Sequence, residues 1–594
     1  MTISSPIVVE IDDNKKALDK FYNSLMEDTK ENRIIKSYPT VYIHAWKTGD
    51  KYEVYVGESN DFYRRTEEHY NQKNNPKAWE SKLTEENSKL YIIAHPNFNK
   101  SLTLDIENRL YLYLSSSQSV SKAHNSKENP QNDYYLHEIL DEIFSKIWRK
   151  LRNINEELFL SEGEIKASHI FKASPLHKLN KEQLEAKELV LSKIANSTQN
   201  SSENNQLIWV EGIWGTGKTV LISSIFYEAI IRANKDLDDE NSKKKKLDIA
   251  VIVNNKEQLK LYKEIAKKLC LVTNKEKVVF NPNNFINQFV DKKNSPKKRT
   301  KPYDIVLVDE AHLLLTRKTQ AFNGEQGQLA EIMKYGKVVV AMFHRKQIMN
   351  AEQYLSKEEI DKYENTAKRE GNYIKLTKQM RMNANPEIID WIEDFCILGK
   401  LKPLTKNRGN YEIRVFDSPK LLEKAIKEKA KKEGTKLSRL IATYDWEYKE
   451  NRQPKNEKYW CVKIEDWCKP WNYQLEKDIQ KNKKAKDRDL SWVEQPLTID
   501  EVGSIYTIHG FDLNYAGVII GPSVKFRNNE VIFDPKSSKN NKATQNRTLK
   551  DGSKENFAED FLSNELGVLL TRGINGIYIY ACDEELRNEL KRYI

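Results

Sequence analysis

The sequence lacks the features of membrane-spanning and secreted proteins. No apolar run reaches the roughly eighteen residues that a membrane helix needs, and the segment from Met1 to Pro6 carries no basic and then apolar signal. The five cysteines are scattered without a C-x-x-C pair, so neither a disulfide framework nor a zinc site is indicated. These absences predict a soluble chain without a membrane partner, in a reducing compartment such as the cytoplasm.

A large excess of one charge is also missing. The 594 residues include 98 lysines and arginines against 87 aspartates and glutamates, for a net charge of +11. That excess gives only a hint of a polyanionic partner. Basic runs at Lys243–Lys246, Lys292–Lys301 and Lys481–Arg488 are either solvated loops or nucleic-acid contacts. The length predicts about three or four domains.

The most informative segment that is present is G-x-x-x-x-G-K-T, which begins at Gly212. An apolar run from Leu207 to Val210 precedes it and a helical pattern follows, as a phosphate-binding loop requires. Its glycines allow backbone N–H groups to surround phosphates, and the start of the helix adds positive partial charge. The residues predicted to bind nucleotide are Gly212, Gly215, Thr216, Gly217, Lys218 and Thr219. Lys218 is expected at the β- and γ-phosphates and Thr219 at Mg²⁺.

A second element of the same kind of site follows at a domain-sized separation. Residues Tyr303 to His312 read as a buried strand that ends in Asp309 and Glu310. Asp309 is expected to bind the Mg²⁺ shell, and Glu310 to orient and polarise the attacking water. The two elements together predict ATP hydrolysis, with ATP and Mg²⁺ as cofactors.

Four further side chains extend this site. Gln183 lies about thirty residues before the phosphate loop, where its amide can pair with the hydrogen-bonding edge of adenine. Gln347 follows the apolar strand Val338–Phe343 and is placed to sense the γ-phosphate. Arg381 and Arg572 are the cations expected to neutralise the charge that develops during phosphoryl transfer.

With the Gly510-Phe511-Asp512 segment and the final Thr571-Arg572, this series resembles superfamily 1 helicases, and more closely their Schlafen-like group. The resemblance covers residues of about 175–594 and implies two RecA-like α/β lobes with ATP between them. His344 stands where such proteins usually have an acid, and His509 where they usually have glutamine. ATPase activity is therefore expected, whereas unwinding, translocation or switching are left open.

The second lobe contains an aromatic and basic segment at residues of about 446–492. Its tryptophans alternate with lysines, and they are Trp446, Trp460, Trp467, Trp471 and Trp492. Such a pattern suits a single strand, because bases stack on rings while lysines follow phosphates. A small satellite core with lysines outside is the alternative, and it is favoured for most of these tryptophans.

The N-terminal third carries an independent set of polar residues. Tyr42 and Tyr55 lie on two short β-rich runs joined by a predicted hairpin turn. Arg65 and His69 are i,i+4 neighbours and share one face of a predicted helix. Glu107 lies among apolar positions of an amphipathic segment.

This arrangement resembles the GIY-YIG nuclease domain, with Thr40 in place of the first glycine of the motif. The resemblance implies a small α+β domain in which one metal ion, a glutamate, an arginine and two tyrosines cleave phosphodiesters. Glu107 would hold Mg²⁺ or Mn²⁺, and Arg65 would stabilise the charge on the phosphorus. Tyr42 or Tyr55 would position or deprotonate the water. His69 belongs to the predicted catalytic set, and Asn125 is a candidate for the family's distal asparagine.

The predicted fold is thus a multidomain α/β protein. Its expected parts are an N-terminal segment (1–35), a GIY-YIG-like domain (36–150), a linker (151–178), a first RecA-like lobe (179–400) and a second one (401–594). One hypothesis is an ATP-dependent nuclease–helicase that acts on nucleic acid, DNA rather than RNA, in defence against foreign DNA. The other is an ATP-switched binding protein whose first domain recognises DNA without cutting it. Convergence of the two tyrosines, the arginine and the glutamate on one pocket distinguishes them. The sequence does not indicate an oligomeric state.

Overall fold

The structure, a computed structural model, describes most of the chain. The described residues are 3–71, 79–83, 87–125, 134–135, 137–199, 205–238, 247–272, 277–290, 299–320, 322–324, 326–404, 409–432, 436–450, 452–475, 478, 490–508, 510–549 and 551–594. The basic runs 243–246 and 481–488, most of the run 292–301, and His509 lie outside these residues. The chain forms two compact units: 1–181 with 223–246 and 261–277, and 182–222 with 247–260 and 278–594.

The first unit is built on a mixed five-stranded sheet. Its strands are β1 (Ile7–Asp12), β2 (Thr40–Thr48), β3 (Lys51–Ser59), β4 (Lys89–Ala94) and β5 (Val120–His124). They are ordered β1-β4-β2-β3-β5, and all neighbours are antiparallel except β3 and β5. The predicted hairpin between β2 and β3 is present, and Gly49 in its turn has φ +65°, which glycine adopts at little cost.

In the described residues before 174, the first unit contains seven helices. They are α1 (Lys15–Ser24), α2 (Lys30–Ser37), α3 (Phe62–Asn71), α4 (Lys100–Ser116), α5 (Leu140–Ile154), α6 (Glu162–Ala167) and α7 (His169–Ala173). Short 3₁₀ turns occur at Glu80–Lys82 and His137–Ile139. Helix α4 is buried along most of its length, because apolar residues occupy more than one of its faces.

The second unit contains a parallel six-stranded sheet. Its strands are β6 (Gln206–Gly212), β7 (Ile249–Val253), β8 (Val279–Phe280), β9 (Tyr303–Asp309), β10 (Gly336–Phe343) and β11 (Tyr373–Leu376), in the order β11-β6-β10-β9-β7-β8. The helices that follow one another along this part of the chain are α8 (Lys181–Gln199), α9 (Lys218–Asp238), α10 (Lys256–Lys268), α11 (Pro282–Ile286), α12 (Gln328–Lys334) and α13 (Lys357–Arg369), with 3₁₀ turns at Ala311–Leu313 and Arg345–Gln347. Residues 223–238 of α9 and 261–268 of α10 belong to the first unit. The central strands are buried on both faces, as a sheet covered by helices requires.

The rest of this unit is built on a second parallel sheet. The strands are β12 (Glu412–Val415), β13 (Arg439–Ala442), β14 (Cys461–Ile464), β15 (Trp467–Pro470), β16 (Val502–Gly503), β17 (Leu513–Ile520), β18 (Val524–Arg527), β19 (Glu530–Phe533), β20 (Arg547–Thr548), β21 (Lys554–Glu555) and β22 (Gly573–Ala581). The sheet is ordered β12-β22-β17-β13-β16, while β14–β15, β18–β19 and β20–β21 are two-stranded antiparallel pairs. Its helices are α14 (Pro386–Ile397), α15 (Pro419–Lys431), α16 (Ile505–Ile508), α17 (Asn541–Thr544), α18 (Ala558–Leu570) and α19 (Glu584–Tyr593), with a 3₁₀ turn at Pro496–Asp500.

The protein is therefore a mixed α/β protein with two parallel-sheet, RecA-like lobes. Among the described residues, no helix combines the length and the apolar character that crossing a bilayer requires.

The tryptophan-rich segment packs against the second parallel sheet. Trp467, Trp471 and Trp492 are buried, whereas Trp446 and Trp460 are half-buried. Several of its lysines are also paired with acids, for example Lys449 with Glu447 at 2.6 Å and Lys469 with Glu423 at 2.7 Å. Trp467 and Trp471 pack with sheet residues such as Leu440, and Trp446 and Trp460 lie at the edge of that cluster. Trp492 belongs to the cluster on the other face of the sheet. Three of the five tryptophans are thus buried, as the core alternative predicts, but in the core of the sheet rather than in a separate satellite.

Candidate functional site

The phosphate loop joins β6 to α9. Gly215 and Gly217 have φ of +74° and +73°, a left-handed conformation that disfavours other residues. A Cβ atom on Gly217 would lie 2.4 Å from Nε2 of Gln183, so the position also lacks space for a side chain. The loop backbone can therefore follow the path that places successive N–H groups around an anion.

Lys218, the first residue of α9, is buried against this loop. Its Nζ donates to the carbonyl oxygens of Gly212 at 2.8 Å and Ile213 at 3.2 Å. Burial lowers the pKa of Lys218 to about 8, while the nearby carboxylates of Glu310 and Asp309 oppose that shift. The ammonium is thus held at the loop by carbonyl oxygens and neighbouring acids.

Gln183 lies directly beneath the loop. Its Nε2 donates to the carbonyl oxygens of Thr216 at 3.1 Å and Gly217 at 3.5 Å. The amide therefore supports the loop backbone, a contact that its spacing in the sequence did not reveal. Its pairing with adenine stays a prediction.

The acidic end of β9 faces the start of α9. Thr219 Oγ1 donates to Asp309 Oδ2 at 3.3 Å, so a hydroxyl and a carboxylate, both oxygen ligands that suit Mg²⁺, lie side by side. Glu310 adopts a left-handed conformation with φ +50°, a strained geometry that concentrates at functional sites. Its Oε2 lies 3.2 Å from Nε2 of His312, whose pKa burial lowers to about 4, so this imidazole is uncharged at neutral pH.

The two predicted arginines converge on the same lysine. Arg381 and Arg572 both act to lower the pKa of Lys218 through their positive charges, so both lie within electrostatic reach of its ammonium. Arg381 Nε is 2.8 Å from Asp512 Oδ1, and Arg572 Nη1 is 3.8 Å from the same oxygen. Arg572 is 1% exposed, and burial lowers its pKa to about 9.

Asp512 is a site residue that the sequence indicated only as part of a motif. It pairs with both arginines, and no spacing rule predicts that contact because the three residues come from distant segments. Burial and the Lys218 charge together hold the pKa of His344 well below its usual value. Gln347 is buried, and its backbone N–H donates to the carbonyl oxygen of His344 at 3.2 Å, while its γ-phosphate role stays a prediction.

A second polar cluster lies in the first unit. Tyr42 Oη is 3.3 Å from His69 Nε2, and the charges of Arg65 and Glu107 both act on the pKa of Tyr42. The Tyr42 and Tyr55 rings are 6.3 Å apart. The five predicted residues therefore meet around one tyrosine.

Neighbouring groups complete this cluster. Gly57 pairs with Tyr42 across the hairpin, and a Cβ there would lie 2.6 Å from the phenol ring, so glycine leaves room for it. Asn125 Nδ2 donates to Glu107 Oε1 at 3.4 Å. Burial raises the pKa of Tyr42 well above its usual value, so this phenol is protonated at neutral pH and would need a nearby cation to act as a base.

Two carboxylate–histidine pairs border the cluster and were not predicted. Glu80 Oε1 lies 3.1 Å from His69 Nδ1, and Asp13 Oδ2 lies 2.9 Å from Nδ1 of His44, two residues after Tyr42. Such pairs fix the tautomer and orientation of an imidazole. Glu80 carries no signal in the sequence, because the fold rather than a motif brings it to His69.

Metal-binding capacity differs between the two sites. Thr219 and Asp309 supply a hydroxyl and a carboxylate, and Glu107 supplies one carboxylate beside Asn125. Within the described parts of the chain, no group of three or more histidine, cysteine, aspartate or glutamate side chains is arranged around a common metal position. Either site would thus fit a hard cation that keeps most of its water ligands.

The protein has two parallel-sheet lobes, and the first carries the phosphate loop. Arg381 and Arg572, which follow the first sheet in the chain, lie within electrostatic reach of Lys218. These features are those of a helicase-like nucleotide-binding protein. The family of the Schlafen group 3, DNA/RNA helicase domain matches residues 205–583, and the chain belongs to this family. The matched range begins after the Tyr42 cluster.

Two further similarities were found. The chain is 29% identical over 438 residues to the uncharacterized protein YPL245W of Saccharomyces cerevisiae, across 70% of this chain and 90% of that protein. A structure of the Mycobacterium smegmatis helicase Lhr bound to ssDNA and AMP-PNP matches 69% of this chain at 10% identity with a TM-score of 0.24. The match covers 49% of that helicase chain, about half of its length.

Proposed function

We propose that the second unit is an ATP-hydrolysing motor of the helicase type that acts on nucleic acid, with DNA as the preferred polymer. The observation that carries the proposal is the set of charged groups around Lys218. Asp309 and Glu310 come from one lobe, and Arg381 and Arg572 come from later segments. Phosphoryl transfer to water requires carboxylates that can bind a metal ion and orient the water, and cations that can bind the phosphates.

Each side chain has a defined task in this proposal. Lys218 binds the β- and γ-phosphates after leaving its carbonyl partners, and Glu310 orients the attacking water. Thr219 and Asp309 would hold Mg²⁺, which when bound neutralises phosphate charge. Arg381 and Arg572 stabilise the charge that develops on the γ-phosphoryl group.

The test is Mg²⁺-dependent ATP hydrolysis with and without single-stranded DNA or RNA. Lys218→Ala is expected to remove hydrolysis, because no other cation of the loop reaches the phosphates. Lys337→Ala is the control, since this half-exposed lysine pairs with Asp304 on the same sheet. Hydrolysis by Lys218→Ala at the rate of the control would exclude the phosphate-loop assignment. Greater stimulation by RNA than by DNA would exclude DNA as the preferred polymer.

We propose in addition that the Tyr42 cluster cleaves phosphodiesters with one bound metal ion. The convergence of Tyr42, Tyr55, Arg65 and Glu107 supports cleavage over a role in recognition alone. Glu107 would hold the metal, and Arg65 would stabilise negative charge on the phosphorus. A motor joined to a cutter in the cytoplasm fits defence against foreign DNA, and that setting is part of the proposal.

Cleavage of plasmid and single-stranded DNA in Mg²⁺ or Mn²⁺ tests this second activity. Glu107→Ala is expected to abolish cleavage and to leave ATP hydrolysis intact. Asp105→Asn is the control, because Asp105 lies on the same helix but pairs with Lys178 at 3.2 Å. Equal cutting by Glu107→Ala and the control would show that the metal ligand lies elsewhere. Absence of cleavage by the wild-type chain would favour the ATP-switched binding protein.

A further inference from the structure

The phosphate loop carries a tryptophan that has no role in binding phosphate. Trp214 follows Gly212 by two residues, yet its side chain is 4% exposed. It belongs to a hydrophobic cluster that contains Leu566 and Leu569 of α18 and many other residues of the second lobe, together with Leu313 and Met349 of the first. A residue of the phosphate loop is therefore part of a hydrophobic core that it shares with the second lobe.

A glycine in the facing helix accommodates this ring. Gly567 lies inside α18, where glycine weakens a helix relative to alanine. A Cβ at this position would lie 3.0 Å from Cζ2 and 3.2 Å from Cη2 of Trp214. The close approach of the indole gives the physical reason for a glycine here.

Several groups around the indole also belong to the candidate nucleotide site. Helix α18 ends at Leu570, directly before Thr571 and Arg572. The Trp214 and His344 rings make an edge-on contact with centroids 5.1 Å apart. Trp214, Gly215, Arg381 and Thr571 line one small pocket. The indole thus lies next to the phosphate loop, through Gly215, and next to the segments that carry the two arginines, through Arg381 and Thr571.

The indole N–H has no hydrogen-bond partner among the described residues. A buried, unpaired N–H is unfavourable, so the ring is not held by a polar anchor of its own. Trp391 of the same cluster differs, since its Nε1 donates to the carbonyl oxygen of Lys402 at 2.8 Å. Packing alone fixes Trp214, and packing changes when the loop or the helix shifts.

We propose that Trp214 is a positioning residue that couples the phosphate loop to α18, so that nucleotide at the loop sets the position of Arg572 and, through the shared pocket, of Arg381. This inference rests on the proposed ATP hydrolysis. Nucleotide binding moves the loop backbone, the indole moves with it, and Gly567 lets the helix follow without a clash.

A binding and turnover comparison is the first test. Trp214→Ala is expected to lower kcat by about tenfold or more while the affinity for a non-hydrolysable ATP analogue stays within about threefold. Trp214→Phe is expected to restore part of the lost kcat. Trp391→Ala removes a similarly buried indole from the same cluster and is expected to keep kcat near the wild-type value. Equal kcat values for the two alanine variants would overturn the inference.

A double-mutant cycle separates coupling from simple packing. Gly567→Ala should favour the helix, but its methyl group meets the indole. We expect Gly567→Ala to lower kcat in the wild-type background and to leave kcat unchanged in the Trp214→Ala background. Additive effects of the two substitutions would contradict a shared contact.

Hydrogen exchange tests the same coupling without hydrolysis. The ATP analogue is expected to slow exchange of the α18 amides in the wild-type chain and in Trp391→Ala, but not in Trp214→Ala, although all three bind it. If the wild-type chain does not bind the analogue, the proposed function itself fails. If it binds and α18 responds equally in Trp214→Ala, only the coupling fails.

Discussion

Arg381 and Asp512 form an ion pair of 2.8 Å beside the phosphate loop, and the same carboxylate oxygen lies 3.8 Å from Arg572. One carboxylate, that of Asp512, is therefore close to both arginines of the candidate nucleotide site. Two guanidinium groups side by side repel one another, and Asp512 offsets that repulsion. The relationship predicts that the arginines act as a pair.

Substitution of Asp512 should reduce turnover more than binding. Asp512→Ala is expected to lower kcat by about 10- to 100-fold, because both arginines lose their fixed position, while nucleotide affinity changes little. Steady-state kinetics and direct binding of an ATP analogue check this. Asp534→Ala, which breaks the 2.6 Å pair with Lys525 elsewhere in the lobe, serves as the control. A parallel loss of affinity and kcat would contradict a positioning role.

Substitution of Glu310 should separate binding from hydrolysis in another way. Glu310→Gln is expected to retain nucleotide but to slow hydrolysis by about 100-fold or more, because the amide does not polarise water as a carboxylate does. Single-turnover hydrolysis measures the chemical step directly. Glu331→Gln, on a neighbouring helix and paired with Lys334, is the control. A near-normal single-turnover rate would assign the water to another group.

The sequence predicted the parts of the fold and site that local pattern determines. The strands that end at Gly212 and Asp309 were predicted because continuous apolar runs precede conspicuous polar residues. The contacts of Asp512 and Glu80 were not predicted, since residues distant in sequence meet only in the folded chain. The core position of Trp214 was missed because nothing in a loop motif shows which lobe a ring enters.

The second lobe contains a pH-sensitive pair of carboxylates. Burial, together with the neighbouring Asp445, raises the pKa of Glu565 to about 8, and burial raises that of Asp445 to about 6. Near neutral pH the folded protein therefore keeps a proton on Glu565. The unfolded chain has already released that proton, because its carboxyl has the ordinary, lower pKa. Stability from this source is present at low pH and is lost as the pH rises towards the folded-state pKa values.

Glu565→Gln should therefore flatten the pH dependence of stability. The thermal midpoint of the wild-type chain is expected to decrease as the pH is raised from about 5.5 to about 8.5. The midpoint of Glu565→Gln is expected to decrease by a few degrees less, since about 1 kcal/mol of stability corresponds to 2–4 °C in domains of this size. Glu559→Gln, exposed on the same helix, is the control and should behave as the wild type. Identical slopes in all three chains would contradict a buried, protonated Glu565.

Glu80 should influence cleavage through His69. Glu80→Gln is expected to lower the cleavage rate about tenfold, because the His69 ring loses the carboxylate that fixes its tautomer and orientation. The rate of DNA cleavage at a fixed pH measures this effect. Glu53→Gln is a matched control, as Glu53 pairs with His124 at 3.0 Å. A cleavage rate equal to that of the control would contradict a role of Glu80 in positioning His69.

The central claim is that ATP binds at the phosphate loop with arginines of the later segments directed at its γ-phosphate. A structure determined with a non-hydrolysable ATP analogue and Mg²⁺ tests it most directly. We expect the Lys218 ammonium and the guanidinium groups of Arg381 and Arg572 within about 3 Å of phosphate oxygens, with Thr219 and Asp309 at the metal. A bound nucleotide whose γ-phosphate lies beyond the reach of both arginines would contradict the account.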